Sequence, residues 1–235
     1  MSRVVAAVAL FFAPIAMCSN CQTSPALRQS ADQTFLASLP AWGYDGKIIL
    51  LRRPEEAREA MRELLSEQVV GFDTETRPTF RQGQSHSPAL VQLAGSGPVY
   101  VFQLKLCGLD PLVPLLESEQ PLKVGTGIGD DVKHLMKLQP FSPAGFVELF
   151  QETGPMGVRD RGLRKLCGIF LGLRISKKEQ TSNWGRKNLT ESQLRYAATD
   201  AWVSRRIYQV AKELRAMGVA AKEWPAEPGG RTEKN

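Results

Sequence analysis

From Lys47 onward the apolar residues alternate between two spacings, and this alternation is the feature that most restricts the fold. Strand-like apolar runs occupy residues 48–51, 69–75, 89–94, 99–103, 122–125 and 146–150. Helical spacing occurs between and after them, as in the series Ala57, Ala60, Met61, Leu64 and Leu65. A chain that switches repeatedly between the two periods is predicted to be an α/β domain in which helices cover a sheet.

Turn and capping signals divide this region further. The sequence GSGP at residues 95–98 is a hairpin-like turn, so the three strands between residues 69 and 103 are predicted to form an antiparallel meander. Helices are predicted from Pro54, over residues 109–117 and 130–138, before Gly172, and from the capping box at Thr190 to about residue 214. The expected architecture is a mixed central sheet of about five to six strands, the first three antiparallel, flanked by helices.

The two ends of the chain differ from this region. Residues 4–18 are apolar but too short for a membrane span, so no integral membrane domain is expected. They fit either a signal-like segment or an extension from an upstream start codon; a cytoplasmic location is preferred, and export, lipoprotein anchoring and organelle targeting stay open. Residues 19–45 are predicted to be a linker, residues 46–218 the folded domain, and residues 219–235 a flexible tail.

The cysteines give no disulfide framework. Cys18 and Cys21 lack the second ligand pair that a structural zinc site needs. Cys107 and Cys167 are isolated and fall beside or within apolar elements, so both are predicted to be core thiols.

Positive charge is concentrated late in the chain. Residues 159–222 contain 15 Lys and Arg against five Asp and Glu, a net charge of +10, whereas the whole chain carries +6. Such a stretch is either a solvated helical surface or a surface for a polyanion. The chain is 43% apolar and 23% charged, as in globular proteins, which excludes a mainly disordered protein.

Acidic residues recur where the predicted elements begin and end. Asp73 and Glu75 are two residues apart at the end of a strand, so both project from one face at the carboxyl edge of the sheet. Asp131, with Asp130 as the alternative, starts a helix after a glycine-rich loop. Tyr196 and Asp200 are four apart and share one helix face. Each pattern alone also fits a structural role, but together four acids suit Mg²⁺ binding and phosphodiester hydrolysis.

Four segments carry a resemblance to a known family: residues 70–75 (VGFDTE), 123–131 (KVGTGIGDD), 182–184 (SNW) and 196–201 (YAATDA). They resemble the three motifs of the DEDD-superfamily 3′-5′ exonucleases, and the tyrosine in the third motif is typical of the DEDDy branch. Over residues 46–215 the chain is similar to ribonuclease D, to the exonuclease domain of Werner-syndrome helicase and, most of all, to small bacterial stand-alone exonuclease-domain proteins.

The resemblance implies a ribonuclease H-like fold and a 3′-5′ exonuclease domain over residues 46–218. It implies a nucleic-acid substrate with a 3′ end, DNA or RNA, from which nucleoside 5′-monophosphates are released with two Mg²⁺ or Mn²⁺ ions. Asp73 is implied to contact both ions, Glu75 and Asp200 to complete the site of the ion that binds the attacking water, and Asp131, not Asp130, to help hold the second ion. Tyr196 is implied to orient the water.

Nucleic-acid contacts are predicted from the cations near these motifs. Trp184 is either a surface on which a base stacks or a core anchor, and Arg77 with the loop of residues 79–87 is either a nucleotide contact or ordinary surface. His86 and His134 are predicted to be structural or peripheral. The cations that flank the third motif and are predicted to bind phosphates are Lys177, Lys178, Arg186 and Lys187, with Arg195 nearby.

Two other interpretations stay open at this point. One is a catalytically weak nucleic-acid-binding module of the same fold that acts through unidentified protein partners. The other is an exported or lipid-anchored metal-binding protein, which only residues 1–21 suggest.

Overall fold

The computed structural model describes residues 27–78 and 86–222, which are built around one mixed sheet. The strands of this part are, in chain order, β1 (Leu27–Arg28), β2 (Ala41–Trp42), β3 (Ile48–Leu51), β4 (Val69–Thr76), β5 (Pro88–Ala94), β6 (Val99–Gln103), β7 (Leu122–Gly125), β8 (Phe146–Glu148), β9 (Arg174–Ile175) and β10 (Ala221–Lys222). Six of these described strands form the main sheet in the spatial order β3-β6-β5-β4-β7-β8, while β1 pairs with β10 and β2 pairs with β9.

Helices cover both faces of the sheet. In the same part of the chain they are α1 (Gln33–Ser38), α2 (Pro54–Leu64), α3 (Leu104–Cys107), α4 (Val113–Leu116), α5 (Ile128–Leu138), α6 (Leu149–Thr153), α7 (Leu163–Leu171) and α8 (Glu191–Ala216), with 3₁₀ turns at Asp110–Leu112 and Gly154–Met156. The apolar sides of α2, α4 and α5 pack on one face of the sheet, and α8 packs across the other. The predicted α/β architecture with a mixed sheet between helices is confirmed.

The strand pairing agrees with the predicted meander and adds a parallel partner on each side of it, β3 next to β6 and β7 next to β4. Strand β5 is antiparallel to both β4 and β6. Strand β3, which comes earlier in the chain, instead pairs parallel with β6, so the sheet is not antiparallel from its first strand. Helix α2 lies between β3 and β4 in the chain and returns the chain to the end of the sheet from which β3 started. Strand β4 therefore has the same direction as β3, which lies at the sheet edge, while β4 lies in the interior.

Local signals placed most helix ends correctly. The Thr190 side chain accepts a hydrogen bond from the Gln193 backbone at 3.2 Å, and the Gln193 side chain accepts one from the Thr190 backbone at 3.0 Å, which completes the predicted capping box. Gly172 ends α7 with a φ of +64°, in the left-handed region that glycine tolerates. Cys107 and Cys167 are buried free thiols, as predicted.

Three local predictions were wrong. Leu65 lies beyond the end of α2 and is 39% exposed, although it continues the helical spacing. The last predicted strand ends at Glu148, because Leu149 turns into the core and begins α6. The described part of the predicted linker, residues 27–45, contains β1, α1 and β2, which are too short to produce a visible period.

Several predictions fall outside the described residues: the apolar segment with Cys18 and Cys21, residues 79–85 of the loop after the acidic strand, and residues 223–235 of the tail. The domain boundaries at residues 46 and 218 also stay predictions. Within the part of the chain that the structure describes, every helix is too short or too polar to span a bilayer.

Candidate active site

Close packing between a helix and a strand brings distant acids together. Gly71 lies in β4 directly under α8, and a Cβ atom at this position would lie 1.8 Å from the backbone oxygen of Ala201. Asp73 follows Gly71 by two residues on the same face of β4, and Asp200 precedes Ala201 in the helix. The absent side chain at residue 71 therefore lets α8 bring Asp200 to the carboxyl end of β4.

The result is a cluster of three carboxylates. One oxygen from each of Asp73, Glu75 and Asp200 lies within 4.8 Å of the others. Burial raises the pKa of Asp73 well above its usual value, and the charges of Asp200 and Asp131 raise it further. Burial and the neighbouring carboxylates raise the pKa of Glu75 in the same way. Carboxylates that repel one another this strongly become ionised together only when cations lie between them.

Asp131 stands beside this cluster and not within it. The Thr74 hydroxyl donates a hydrogen bond of 2.5 Å to an Asp131 carboxylate oxygen, which fixes the side chain at the edge of β4. Burial raises the pKa of Asp131 to about 6, and the charges of Asp130 and Glu148 add to this. Asp130, the alternative, is exposed and pairs with Lys133 at 2.8 Å. Of the two neighbouring aspartates, only Asp131 faces the other acids.

Tyr196 lies one turn before Asp200, as its spacing in the sequence predicts. Its hydroxyl hydrogen-bonds to the Asp200 carboxylate, and burial followed by the charges of Asp200, Glu75 and Asp73 raises the pKa of the phenol far above its usual value. The phenol is therefore protonated at neutral pH and can donate a hydrogen bond. Burial also raises the pKa of Asp200, although Tyr196 and the positive charge of Arg164 partly offset it.

The cluster opens into a cavity of about 440 Å³. Gln33 and Leu36 form part of its wall, so α1, which lies in the predicted linker, belongs to the site. Helix α1 is held there because Leu36 packs against Gly168, where a Cβ atom would lie 2.7 Å from a Leu36 methyl group. The cations on this cavity are Arg164, Lys165 and Lys177.

Sequence reasoning missed Arg164, Glu148 and the wall from α1. Arg164 lies between Leu163 and Lys165 in an amphipathic helix, and the concentration of charge after residue 159 was the only signal of it. Glu148 is the last residue of β8 and accepts a hydrogen bond from the Ile128 backbone at 3.2 Å, at the start of α5. Its position at the carboxyl end of a strand resembles that of Asp73, which is a usable signal.

The residues predicted to contact nucleic acid do not form one surface. Lys177 lines the acidic cavity, and Lys178 lines a neighbouring cavity of about 290 Å³ with Trp42 and Arg195. Arg77 lines another, of about 490 Å³, that also includes His86. Arg186 and Lys187 have exposed side chains, while both their backbone carbonyls accept hydrogen bonds from the Gln103 side chain at 2.7 and 3.2 Å.

Trp184 is an anchor of the core. Its side chain is fully buried, and its ring centroid lies 5.9 Å from that of Tyr196. Of the two roles considered for Trp184, stacking on a base is therefore wrong for this structure, because the ring has no exposed face. The ring instead supports Tyr196 next to the acids.

The fold and the acids together define a ribonuclease H-like protein with a carboxylate site at the edge of its sheet. A sequence model of the 3′-5′ exonuclease family matches residues 48–215. The chain therefore belongs to the 3′-5′ exonuclease family, which confirms the resemblance drawn from the motifs.

Individual relatives agree with this assignment. Ribonuclease D of Gluconacetobacter diazotrophicus is 29% identical over 170 residues, which cover 70% of this chain and 42% of the relative. The bifunctional 3′-5′ exonuclease/ATP-dependent helicase WRN of Mus musculus is 34% identical over 148 residues, which cover 60% of this chain and 11% of the relative. The chain thus spans less than half the length of these two relatives.

Solved structures show the same fold. The EXO domain of Aedes aegypti Nibbler superimposes with a TM-score of 0.68 at 21% identity and covers 77% of this chain and 95% of that one. RNase D of Escherichia coli superimposes with a TM-score of 0.63 at 19% identity over 73% of this chain and 46% of that one.

Proposed function

We propose that this protein hydrolyses phosphodiester bonds at the 3′ end of DNA or RNA and releases nucleoside 5′-monophosphates. The observation that carries the proposal is the convergence of Asp73, Glu75 and Asp200 beside Tyr196 in an open cavity with cations on its rim. Membership of the 3′-5′ exonuclease family supports the direction of attack.

The donor set fits divalent cations. Hard ions such as Mg²⁺ and Mn²⁺ prefer carboxylate oxygens, and the raised pKa values of Asp73 and Glu75 indicate that their negative charges lack compensation from the protein. We assign Asp73, Glu75 and Asp200 to one ion, and Asp73 with Asp131 to a second. When bound, two such ions stabilise the charge on the reacting phosphate and lower the pKa of water.

The other side chains then have distinct tasks. Tyr196, which is protonated and already donates to Asp200, orients the attacking water through its hydroxyl. Arg164 and Lys177 bind phosphate oxygens of the terminal nucleotides, since both line the cavity on which the acids open. Thr74 holds Asp131 in place, and Trp184 supports the ring of Tyr196. Each of these residues therefore binds the phosphate, orients the water or holds another side chain of the site in place around one phosphodiester bond.

The test is the shortening of a 5′-labelled single strand, run side by side on DNA and RNA with Mg²⁺ or Mn²⁺. We expect stepwise loss of nucleotides from the 3′ end, and we expect Asp73→Ala to abolish it while thermal unfolding shows a folded protein. Asp130→Ala is the matched control and should retain full activity, because Asp130 is exposed and bonded to Lys133.

Two results would contradict the proposal. Equal shortening by wild type and Asp73→Ala would place the chemistry elsewhere. Binding of the strand without metal-dependent product from the wild type would instead favour a nucleic-acid-binding module with negligible turnover.

A further inference from the structure

Gln92 is a buried amide without a partner next to the acids. It lies in β5, it is fully buried, and neither its side-chain nitrogen nor its side-chain oxygen has a hydrogen-bond partner among the described residues. Buried polar groups in folded proteins are normally paired, so an amide with both ends unpaired needs an explanation.

The strand register places Gln92 directly opposite Asp73. The two residues are partners in the antiparallel pair of β4 and β5, so their side chains project from the same face of the sheet. Directly opposite residues have Cβ atoms about 4.5–5.5 Å apart, which is within reach of a glutamine amide. The same register places Leu90 opposite Glu75 and Ala94 opposite Gly71.

The surroundings of Gln92 are otherwise apolar. Leu90 and Ala94 flank it on this face of β5, Val101 is its partner in β6, and the alanines at the start of α8 pack over the same face. A leucine or methionine at residue 92 would fill this space without a buried unpaired amide. Packing alone therefore does not account for the amide.

We propose that Gln92 is a positioning residue for Asp73. In the loaded site its amide nitrogen donates a hydrogen bond to an Asp73 carboxylate oxygen, directly or through one buried water, and so fixes the orientation in which Asp73 contacts both cations. Groups that hydrogen-bond to metal ligands in this way commonly change metal affinity by about 10- to 100-fold when they are removed. The inference rests on the proposed metal site.

Gln103 provides a matched control. It is also a glutamine at a buried position on the same face of the neighbouring strand, but its amide nitrogen is paired with the backbone oxygens of Arg186 and Lys187. Its removal takes away the bond to the Arg186 carbonyl and the acceptor of Arg52 Nε, while the Lys187 carbonyl keeps its bond from Arg52, and it touches none of the acids. We therefore expect the same substitution to affect Mn²⁺ affinity at Gln92 and the melting temperature at Gln103.

The experiment uses the full chain and measures Mn²⁺ binding by titration calorimetry and the melting temperature without metal. Gln92→Met should weaken Mn²⁺ binding about 10- to 100-fold, leave the melting temperature equal or higher, and lower kcat without changing KM for the oligonucleotide. Gln103→Met should lower the melting temperature and leave Mn²⁺ affinity unchanged.

The outcomes separate this inference from the proposed function. A wild type that binds no Mn²⁺ overturns both. A wild type that binds Mn²⁺, with Gln92→Met binding it equally well, overturns only the role of Gln92. If Gln92→Met does not fold, Gln92→Leu is measured in the same way, and loss of folding in both shows that the amide is structural and also overturns the inference.

Discussion

Replacing Asp131 with asparagine should stabilise the metal-free protein although it removes a residue of the proposed site. The substitution keeps the shape of the side chain and an oxygen that accepts the hydrogen bond from Thr74. What it removes is a negative charge that burial, Asp130 and Glu148 all disfavour. The charge is tolerable in the folded protein when a cation is bound, and costly when none is.

The size of the effect follows from the pKa. A rise from 3.8 to about 6 is about two pKa units, which at 1.36 kcal/mol per unit corresponds to about 3 kcal/mol. Asp131 lies in the first turn of α5, where an anion is favourable by up to about 1 kcal/mol, so the net gain is about 2 kcal/mol. For a domain of this size that gain corresponds to a melting temperature about 4–8 °C higher.

The gain should depend on pH with a defined sign. Below about pH 3 the carboxyl group is protonated in both the folded and unfolded states, so the variant and wild type should have equal stability. As pH rises toward 6, the unfolded chain releases the proton first, and wild type loses stability relative to Asp131→Asn. The full difference should be present above about pH 7.

The assay is thermal unfolding in EDTA at about pH 3 and about pH 8, followed by the strand-shortening assay. Asp130→Asn is the matched control, because it makes the same change one residue away at an exposed side chain, and its melting temperature and activity should match wild type. Asp131→Asn should lose roughly a hundredfold or more in rate, as expected when a group that stabilises transition-state charge is lost. A melting temperature at pH 8 that is equal to or below that of wild type would refute the argument from burial.

Two single substitutions and one set of four test other parts of the protein. Tyr196→Phe should lower the shortening rate by about 10- to 100-fold and leave KM for the oligonucleotide unchanged, since it removes the hydroxyl that donates to Asp200 and orients the water; an unchanged rate would contradict this role. Gly71→Ala should destabilise the protein by more than about 2 kcal/mol in thermal unfolding, because the new Cβ would lie 1.8 Å from the Ala201 backbone oxygen; a melting temperature near wild type would show that α8 can move away. Replacing cations by alanine should weaken oligonucleotide binding and flatten its dependence on salt, and an unchanged slope would remove these residues from the interface. The cations in this last test are Lys177, Lys178, Arg186 and Lys187.

The chemistry of the site could be predicted from the sequence because it depends on short spacings. A spacing of two positions from Asp73 to Glu75 places them on one face of a strand, and a spacing of four from Tyr196 to Asp200 places them on one face of a helix. The capping box at Thr190 and the glycine at residue 172 fixed helix ends for the same reason, since each acts within a single turn.

Other features could not be predicted because they depend on contacts between residues far apart in the chain. Trp184 has the same sequence neighbours whether it stacks on a base or anchors the core, and only packing against β5, β6 and Tyr196 decides. The same holds for α1, whose six residues show no clear period but form a wall of the cavity once Leu36 meets Gly168.

The sequence by itself determined the residue types, their order and the local face of each element, and with these the family. Only the tertiary structure decided which acids meet, since Asp200 reaches Asp73 through the close approach of α8 to Gly71. It also decided that Asp131 stands beside the cluster under Thr74 and that the amide of Gln92 is buried opposite Asp73. The physical reason is that local spacing fixes the direction of a side chain relative to its own element, whereas burial and charge coupling depend on neighbours that folding brings from elsewhere in the chain.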